Sequence, residues 1–541
     1  MLLKNIGRLV ASFCDSASLR ALLFISPRVS GTWCAMLFLL IAPASSLQAQ
    51  TADVPLQHGV YFLLERLAVM LPHRALDLHV IPVKRAQVLQ ILQEVEALPL
   101  SKADAALVRQ YLAEFTDPPL GARAHPGAER HVLRYEEGEA QIFADLYGLQ
   151  HFEFQRGQSD SNETNISRTR VGGRLRAQLP PRLLVAVDFS NALERGTADS
   201  SETFVPGSGA PVTLSGSSAF RETAIAYARL DLRWFELEAG RNLFSWNLSP
   251  LTQLAVSRLN QPFNLVRLDA RWRKFRFIFA HAEVRAEQQK FLAAHRLEIQ
   301  PLRNFLFGIG ETVIYGNRSA EFAYLNPFML YHAAEHLLGD KDNNVLTLDF
   351  SYFPLPRAKF YGEIFVDDLS LEYPLGTYYG NKLAYLAGVF WYQPFGWQTA
   401  DARLEYSRID PYVYTHEKPE NVYEQDGEGL GARFGPNADR VLLHLGWQPH
   451  RDLRLAAQFR YLRKGVGDIF TPHQESDGLS KGFLQGTIIK TSSVHFEIED
   501  QLWRDIYVAL AFDWDHQTNA NFVSGAKNDL RLAMFALRAD F

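Results

Sequence analysis

Cysteine is all but missing from this chain. Its 541 residues include two, Cys14 and Cys34, and both lie within the first 49. Neither a disulfide framework nor a thiolate-held metal can therefore stabilise the remainder. Long apolar runs are missing too: beyond residue 49 no stretch reaches the roughly 18 consecutive apolar residues that a transmembrane helix needs. Catalytic signatures are absent. There is no G-x-S-x-G elbow, no Walker A loop and no G-x-G-x-x-G turn, so the expectation is a non-enzymatic protein that needs no cofactor. A basic excess is also lacking. Residues 1–49 hold four of the 55 Lys+Arg and one of the 60 Asp+Glu, which leaves 51 against 59, a formal charge of −8. That balance does not point to nucleic acid as a partner.

What is present begins with a leader. Lys4, Arg8, Arg20 and Arg28 precede the apolar run AMLFLLIAP (35–43), and SSLQAQ then offers Ala49 as a small residue at a cleavage point. Residues 1–49 read as a secretory signal peptide of bacterial type. Residues 54–135 read as a helical unit and a linker. VYFLLERLAVML (60–71) has apolar residues at three- and four-residue spacing, and VKRAQVLQILQEVEAL follows Pro82. SKADAALVRQYLAEF opens with Ser101 and Asp104 at capping-box spacing, with Asp in place of Glu or Gln. DPPLGARAHPGAE (117–129) is a Pro/Gly linker.

From about residue 138 the period changes to two. Leu453, Leu455, Ala457, Phe459 and Tyr461 oppose Arg454, Gln458 and Arg460; Ile506, Val508, Leu510, Phe512 and Trp514 oppose Asp505, Tyr507 and Asp513. The pattern runs to the last residue, where Phe541, Ala539, Leu537 and Phe535 share one face and Asp540 and Arg538 the other. One segment, FLFGIGETVIYG (305–316), does not sort into two faces. Eighteen strands are expected, from 138–154, 166–179 and 182–190 to 487–499, 503–514 and 530–541. Tight links (180–181, 301–303, 354–357, 448–452) alternate with long polar ones (191–220, 243–263, 317–344, 411–437, 466–486). Such alternation, with 12% aromatic residues and an even strand count, predicts an antiparallel outer-membrane β-barrel over 138–541. Closure leaves no unpaired edge in lipid. The helical unit is then expected in the periplasm and the long loops outside the cell.

Several residue groups are candidates for chemistry. HAAEH (332–336) has the H-x-x-E-H spacing of a zinc helix, but it lacks an evident third ligand and reads better as a surface helix. DKDNN (340–344) places Asp340, Asp342 and Asn344 at the spacing of hard oxygen ligands, without the Gly and distal Glu of a calcium loop. A solvated hairpin tip is the better reading, and no metal is assigned. A row of inward arginines (168, 170, 174, 176, with 267, 271, 296, 403 and 460) could draw in an anionic polymer. Pairing with Glu298, Glu363, Asp367 and Glu405 is favoured, because isolated charges in a narrow lumen are costly.

The run AHRLEIQPLRNFLFGIGETVIYGNRSAEFAYLNPFM and then GDKDNNVLTLDFSYFPLPRAKFYGEIFVDD resemble the capsule-assembly (Wzi) family of outer-membrane proteins. His295-Arg296, Gly310-Glu311, Tyr315-Gly316, Asn326-Pro327-Phe328, Asp342-Asn343, Tyr361-Gly362 and Asp367-Asp368 carry the resemblance, in order. It implies an eighteen-stranded barrel with a periplasmic helical bundle that binds exopolysaccharide at the cell surface. The implied partners are surface polysaccharide, outer-membrane lipid and the barrel insertion machinery, which would read the terminal Phe541. The family lends no sugar-contacting residue to this chain's own loops. From loop chemistry, the candidates for polysaccharide binding are Trp246, Arg318, Tyr324, Asn326, Asp342, Asn343 and Tyr379, chiefly on 317–344. A porin-like channel for solutes or oligosaccharides is the alternative.

Overall fold

The computed structural model describes residues 52–117 and 127–541, apart from 158–162, 181, 197–204, 206, 209–210, 216–217, 233 and 247. The expected signal peptide and most of the expected linker lie outside the described residues. Eighteen strands close into one antiparallel barrel. They are β1 (Ala140–Arg156), β2 (Thr164–Leu179), β3 (Leu183–Gly196), β4 (Ser218–Asp231), β5 (Phe235–Asn242) and β6 (Phe263–Trp272). Next come β7 (Phe275–Val284), β8 (Lys290–Leu302), β9 (Phe305–Gly316), β10 (Asn343–Leu355), β11 (Ala358–Asp368) and β12 (Lys382–Tyr392). The last are β13 (Ala400–Ile409), β14 (Ala438–Trp447), β15 (Leu453–Lys464), β16 (Ile489–Trp503), β17 (Ile506–Thr518) and β18 (Lys527–Asp540). Each pairs with its neighbour in sequence, and β18 pairs with β1 from Asp540↔Tyr147 to Arg531↔Arg156. The seam extends to the chain end, since Phe541 N–H donates to Leu146 O at 2.7 Å and Leu146 N–H to Phe541 O at 2.8 Å.

The period-two pattern becomes an apolar outside and a polar inside. Val441, Leu443 and Leu445 stand on the outer face of β14, Leu510, Phe512 and Trp514 on that of β17, all exposed. β9 is the strand whose sequence does not sort into faces, and the structure gives the reason. Gly308 points inward, where a Cβ would lie 2.1 Å from the Arg296 guanidinium. Glu311 points outward. The apolar and polar faces are therefore interrupted together.

The helical unit has α1 (Val60–Ala68), a single turn α2 (Ala75–Leu78), α3 (Arg85–Val95) and α4 (Lys102–Phe115). Ser101 caps α4 by accepting from Asp104 N–H at 3.0 Å, and its hydroxyl donates to the Asp104 carboxylate at 2.9 Å. Leu63, Leu64, Leu67, Val88, Ile91, Leu92, Leu107 and Val108 form its core. No described helix is long and apolar enough to cross a membrane. The unit sits in the short-turn end of the barrel, and ion pairs hold it there. Glu65 on α1 meets Arg403 on β13 at 2.8 Å. Asp53 meets Arg229 on β4 at 2.7 Å, and Asp117 meets Arg176 on β2 at 2.5 Å. His79 lies 2.9 Å from Glu298 on β8. These inward arginines thus find carboxylates, as burial in a lumen requires.

Further along the lumen, beside β6 to β14, residues 243–246 and 248–262 turn inward to meet the helical unit, and the loop 410–437 packs against them. Leu254, Ala255 and Val256 are fully buried. Ser249 and Thr252 hydroxyls donate to Glu405, and Leu254 N–H donates to Glu363 at 3.4 Å. Arg403 completes this junction by donating to Ser249 Oγ at 3.2 Å and Tyr361 Oη at 3.0 Å. Of the four acids expected to pair with arginines, Glu298 and Glu405 do so at 2.9 and 3.6 Å. Glu363 and Asp367 instead accept backbone N–H groups of the inward loops, from Leu254 and Tyr414.

Candidate functional site

The long-loop end carries an ordered aromatic surface in which Tyr373 is exposed and the other rings are half-buried. The loop 369–381 contributes Tyr373, Tyr378 and Tyr379, the loop 410–437 contributes Tyr412, and the loop 465–488 contributes His473. Tyr373 stacks on Tyr378 with ring centroids 4.0 Å apart and planes within 14°. Tyr378 tilts against Tyr379 at 4.8 Å, and Tyr379 stacks on His473 at 3.6 Å and 12°. Tyr412 meets His473 edge-on at 5.3 Å. The result is a shelf of five rings drawn from three loops.

Backbone pairing holds the shelf rigid. Tyr379 N–H donates to Leu479 O at 3.2 Å and Lys481 N–H to Thr377 O at 2.7 Å, so two loops zip together beneath the rings. Asn381, fully buried, accepts Ser370 N–H at 2.6 Å and donates to Pro374 O at 3.3 Å. The buried Lys481 ammonium donates to Asn381 O and lies 3.5 Å from Asp410. Burial depresses its pKa, partly offset by Asp410. The His473 ring is fixed by a 2.7 Å contact between Nε2 and Gly478 O. Tyr412 hydroxyl reaches Asp477 at 3.4 Å; burial and then that carboxylate raise its pKa. Flat faces ringed by hydroxyls and carboxylates suit a ligand with apolar C–H faces and many hydroxyls.

The sequence-derived candidates do not converge on one place. Tyr379 is on the shelf. Trp246 is not on a surface loop: it is buried in the lumen, paired with Val80 of the helical unit, with the Arg296 guanidinium 5.5 Å from its ring centroid. Arg318, Tyr324 and Asp342 do come together, but with one another. Arg318 donates twice to Asp342, at 2.9 and 2.6 Å, and Tyr324 hydroxyl donates to the same carboxylate at 2.8 Å. Burial and then Asp342 push the Tyr324 pKa up. This triad ties the two ends of the segment 317–342 and leaves it little to offer a ligand. Asn343 is buried and donates to Asn421 O at 2.9 Å. Asn326 is exposed, and its side chain accepts Phe328 N–H at 3.1 Å within its own loop.

The segment 317–342 leaves the long-loop end, as the turn alternation predicts. It folds back over the outside of the barrel rather than standing at its mouth. Its helices α5 (Phe322–Leu325) and α6 (Tyr331–Leu337) place Tyr324, Tyr331 and Ala334 against Ala293, Val313 and Tyr315, residues of β8 and β9. On α6 the His332 and His336 rings lie 4.3 Å apart on the exposed side, while Glu335 is turned to the buried side, so the H-x-x-E-H spacing does not converge. Asp342, needed for a calcium site, is taken by Arg318 and Tyr324. Among the described residues no group of three His, Cys, Asp or Glu could hold a metal ion. Sequence reasoning misses His473, which sits alone in a polar turn; only its contact with Tyr379 gives it meaning.

The capsule assembly protein Wzi model matches residues 229–532, more than half of the chain. No curated protein sequence matches it. Among solved structures it is similar to Wzi of Escherichia coli, an outer-membrane protein involved in group 1 capsule assembly and described as a carbohydrate-binding β-barrel. That likeness has 13% identity and a TM-score of 0.59, covering 91% of this chain and 100% of that one. It also aligns with OccAB2 of Acinetobacter baumannii (9% identity, TM-score 0.46, 74% and 98% covered) and OprD of Pseudomonas aeruginosa (11%, 0.44, 74% and 94%). A closed eighteen-stranded barrel with an N-terminal helical part, matched by that model over 229–532, places this chain in the capsule assembly protein Wzi family of outer-membrane barrels.

Proposed function

We propose that the protein binds and retains capsular or exopolysaccharide at the cell surface, in a non-catalytic role. In this reading residues 1–49 direct export, the helical unit lies in the periplasm and the long loops face outward. The observation that carries it is the pairing of an occupied lumen with an ordered aromatic shelf. Helices occupy the short-turn end of the barrel and inward loops pack along β6 to β14, so recognition chemistry reachable from the long-loop side is concentrated on the loops. Rings fixed by backbone pairing lose little conformational freedom when a ligand binds. The E. coli Wzi description as a carbohydrate-binding barrel supports the same reading.

The test is a double substitution, Tyr379→Ala with His473→Ala. Binding of purified surface polymer is expected to fall about tenfold, ~1.4 kcal/mol, with unchanged heat-dependent gel mobility. Unaltered polymer binding would sink the shelf as the site. The porin-like alternative makes an opposite forecast: an open ohmic pore in a planar bilayer, where the helices and inward loops within the lumen lead us to expect none. The exposed terminal Phe541 is proposed as the feature read by the insertion machinery, so Phe541→Asp should lower surface levels without blocking export.

A further inference from the structure

The outer wall of β7 to β9 carries polar groups where the barrel elsewhere presents apolar ones. Arg296 points into the lumen, so its neighbour His295 points out, and its partner across the strands, Glu311, points out beside it. His295 and Glu311 meet at 2.8 Å. His281 and the Tyr315 hydroxyl form a second outward pair at 2.7 Å. Charged and polar groups on the lipid side of a barrel are costly.

The segment 317–342 removes that cost. Tyr331 N–H donates to Glu311 at 3.0 Å and its ring stacks on His295 at 4.2 Å and 19°. Glu321 N–H donates to the Tyr315 hydroxyl at 3.0 Å. Having covered the wall's polar groups, the segment shows large apolar side chains outward, with Asn326, His332 and His336 among them: Phe322 and Phe328 are each 83% exposed, Leu337 is 80% and Leu330 65%. Phe328 stacks on Phe277 at 5.9 Å. Phe277 lies in one row with Leu297, Ile309, Leu348 and Ile364, and Ile364 belongs to the exposed apolar band of the wall. That row is seven residues below Gly316, roughly 15–20 Å along the barrel axis at the usual rise and tilt. The segment therefore reaches down the wall, and its outer surface is continuous with the band.

We propose that 317–342 is a membrane-resting flap, whose exposed phenylalanines and leucines lie in the acyl-chain layer of the leaflet on the long-loop side. It exchanges a polar patch of wall for an apolar one and ties an outer loop to the lipid beside the barrel. Polysaccharide binding is not needed for it.

The test uses spin labels on single cysteines, with Cys14 and Cys34 replaced by Ser so that no other thiol is present. Labels at Phe328→Cys and Leu337→Cys are compared with Ile364→Cys on the wall and Glu475→Cys on an exposed loop, in phosphatidylcholine/phosphatidylglycerol vesicles. The ratio of oxygen to nickel-chelate collision at 328 and 337 should match that at 364 and exceed that at 475 severalfold. Ratios equal to that at 475 would put the flap in water and overturn the proposal. Low collision with both reagents, together with dipolar broadening between labels, would show a second copy on this face and overturn it equally. Heat-dependent gel mobility identifies any variant that has not folded, and Leu330→Cys then replaces it.

Discussion

The segments 243–262 and 317–342 leave the same end of the barrel, and both are too long to be simple hairpin connections. One goes in and the other goes over the outside. The inward segment carries Ser245, Ser249, Thr252, Gln253, Ser257, Asn260 and Gln261, with Arg258 as its sole ionisable residue. Its hydroxyls and N–H groups meet Glu405 and Glu363, carboxylates that the lumen wall has already buried. The outward segment carries Phe322, Tyr324, Leu325, Phe328, Leu330, Tyr331 and Leu337. Its apolar side chains cover outward-facing residues of β8 and β9, whereas the inward segment buries Phe244, Trp246, Leu254 and Val256 in the apolar part of the lumen. What differs is the wall each can satisfy: hydroxyls and N–H groups set among apolar side chains complete a mixed polar and apolar interior, and an aromatic flap covers a polar blemish on an apolar exterior.

The comparison breaks most visibly at Arg403, which joins the inward segment, the helical unit and the wall. Arg403→Ala would leave Glu65 and Glu405 without their cation, and Glu405 is buried. A loss of about 3–5 kcal/mol is expected, the usual effect of breaking a buried pair. Urea unfolding of the barrel in lipid vesicles measures it, and wild-type stability would mean that the lumen is far wetter than its geometry implies.

On the outside the expected effect is smaller. Glu311→Leu removes the acceptor of Tyr331 N–H and the partner of His295, at a cost of about 1–3 kcal/mol. Adding His295→Leu should recover much of that loss, because an apolar pair suits an apolar wall. Failure of the second substitution to rescue would mean that the pair is not simply a polar defect under cover.

The smallest effect concerns pH. Glu335 faces the buried side of the flap, and burial, followed by Asp340, Asp342 and Asp368, pushes its pKa up to about 8. A carboxyl raised in the folded state binds its proton more tightly there than in the open chain. Docking is therefore strongest below its ordinary value near 4.5 and weakens as pH rises towards 8. Hydrogen exchange of 317–342 should quicken over that window, and Glu335→Gln should flatten the dependence. An unchanged profile in the variant would assign the pH response to another group.

Much of this architecture is legible in the order of residues. The alternation of tight and long links yields the number of strands, because turn chemistry is local. The Ser101 cap is legible for the same reason. Trp246 defeats such a reading because loop membership suggests exposure, whereas its destination depends on Val80, which is far away in sequence. Arg318, Tyr324 and Asp342 have the chemistry of a binding site, and only their mutual distances reveal that they serve each other. His473 is invisible in the sequence because stacking partners on separate loops leave no spacing to detect.

The sequence by itself determined the barrel, its two ends and its polar interior, since a period of two and the residues of tight turns act through neighbours along the chain. Tertiary structure alone decided which long segment plugs, which one flaps outward and where rings gather into a shelf. Those outcomes depend on buried acceptors of distant strands, the inward Glu363 and Glu405 or the outward Glu311, whose remaining hydrogen bonds come from whichever segment can supply them.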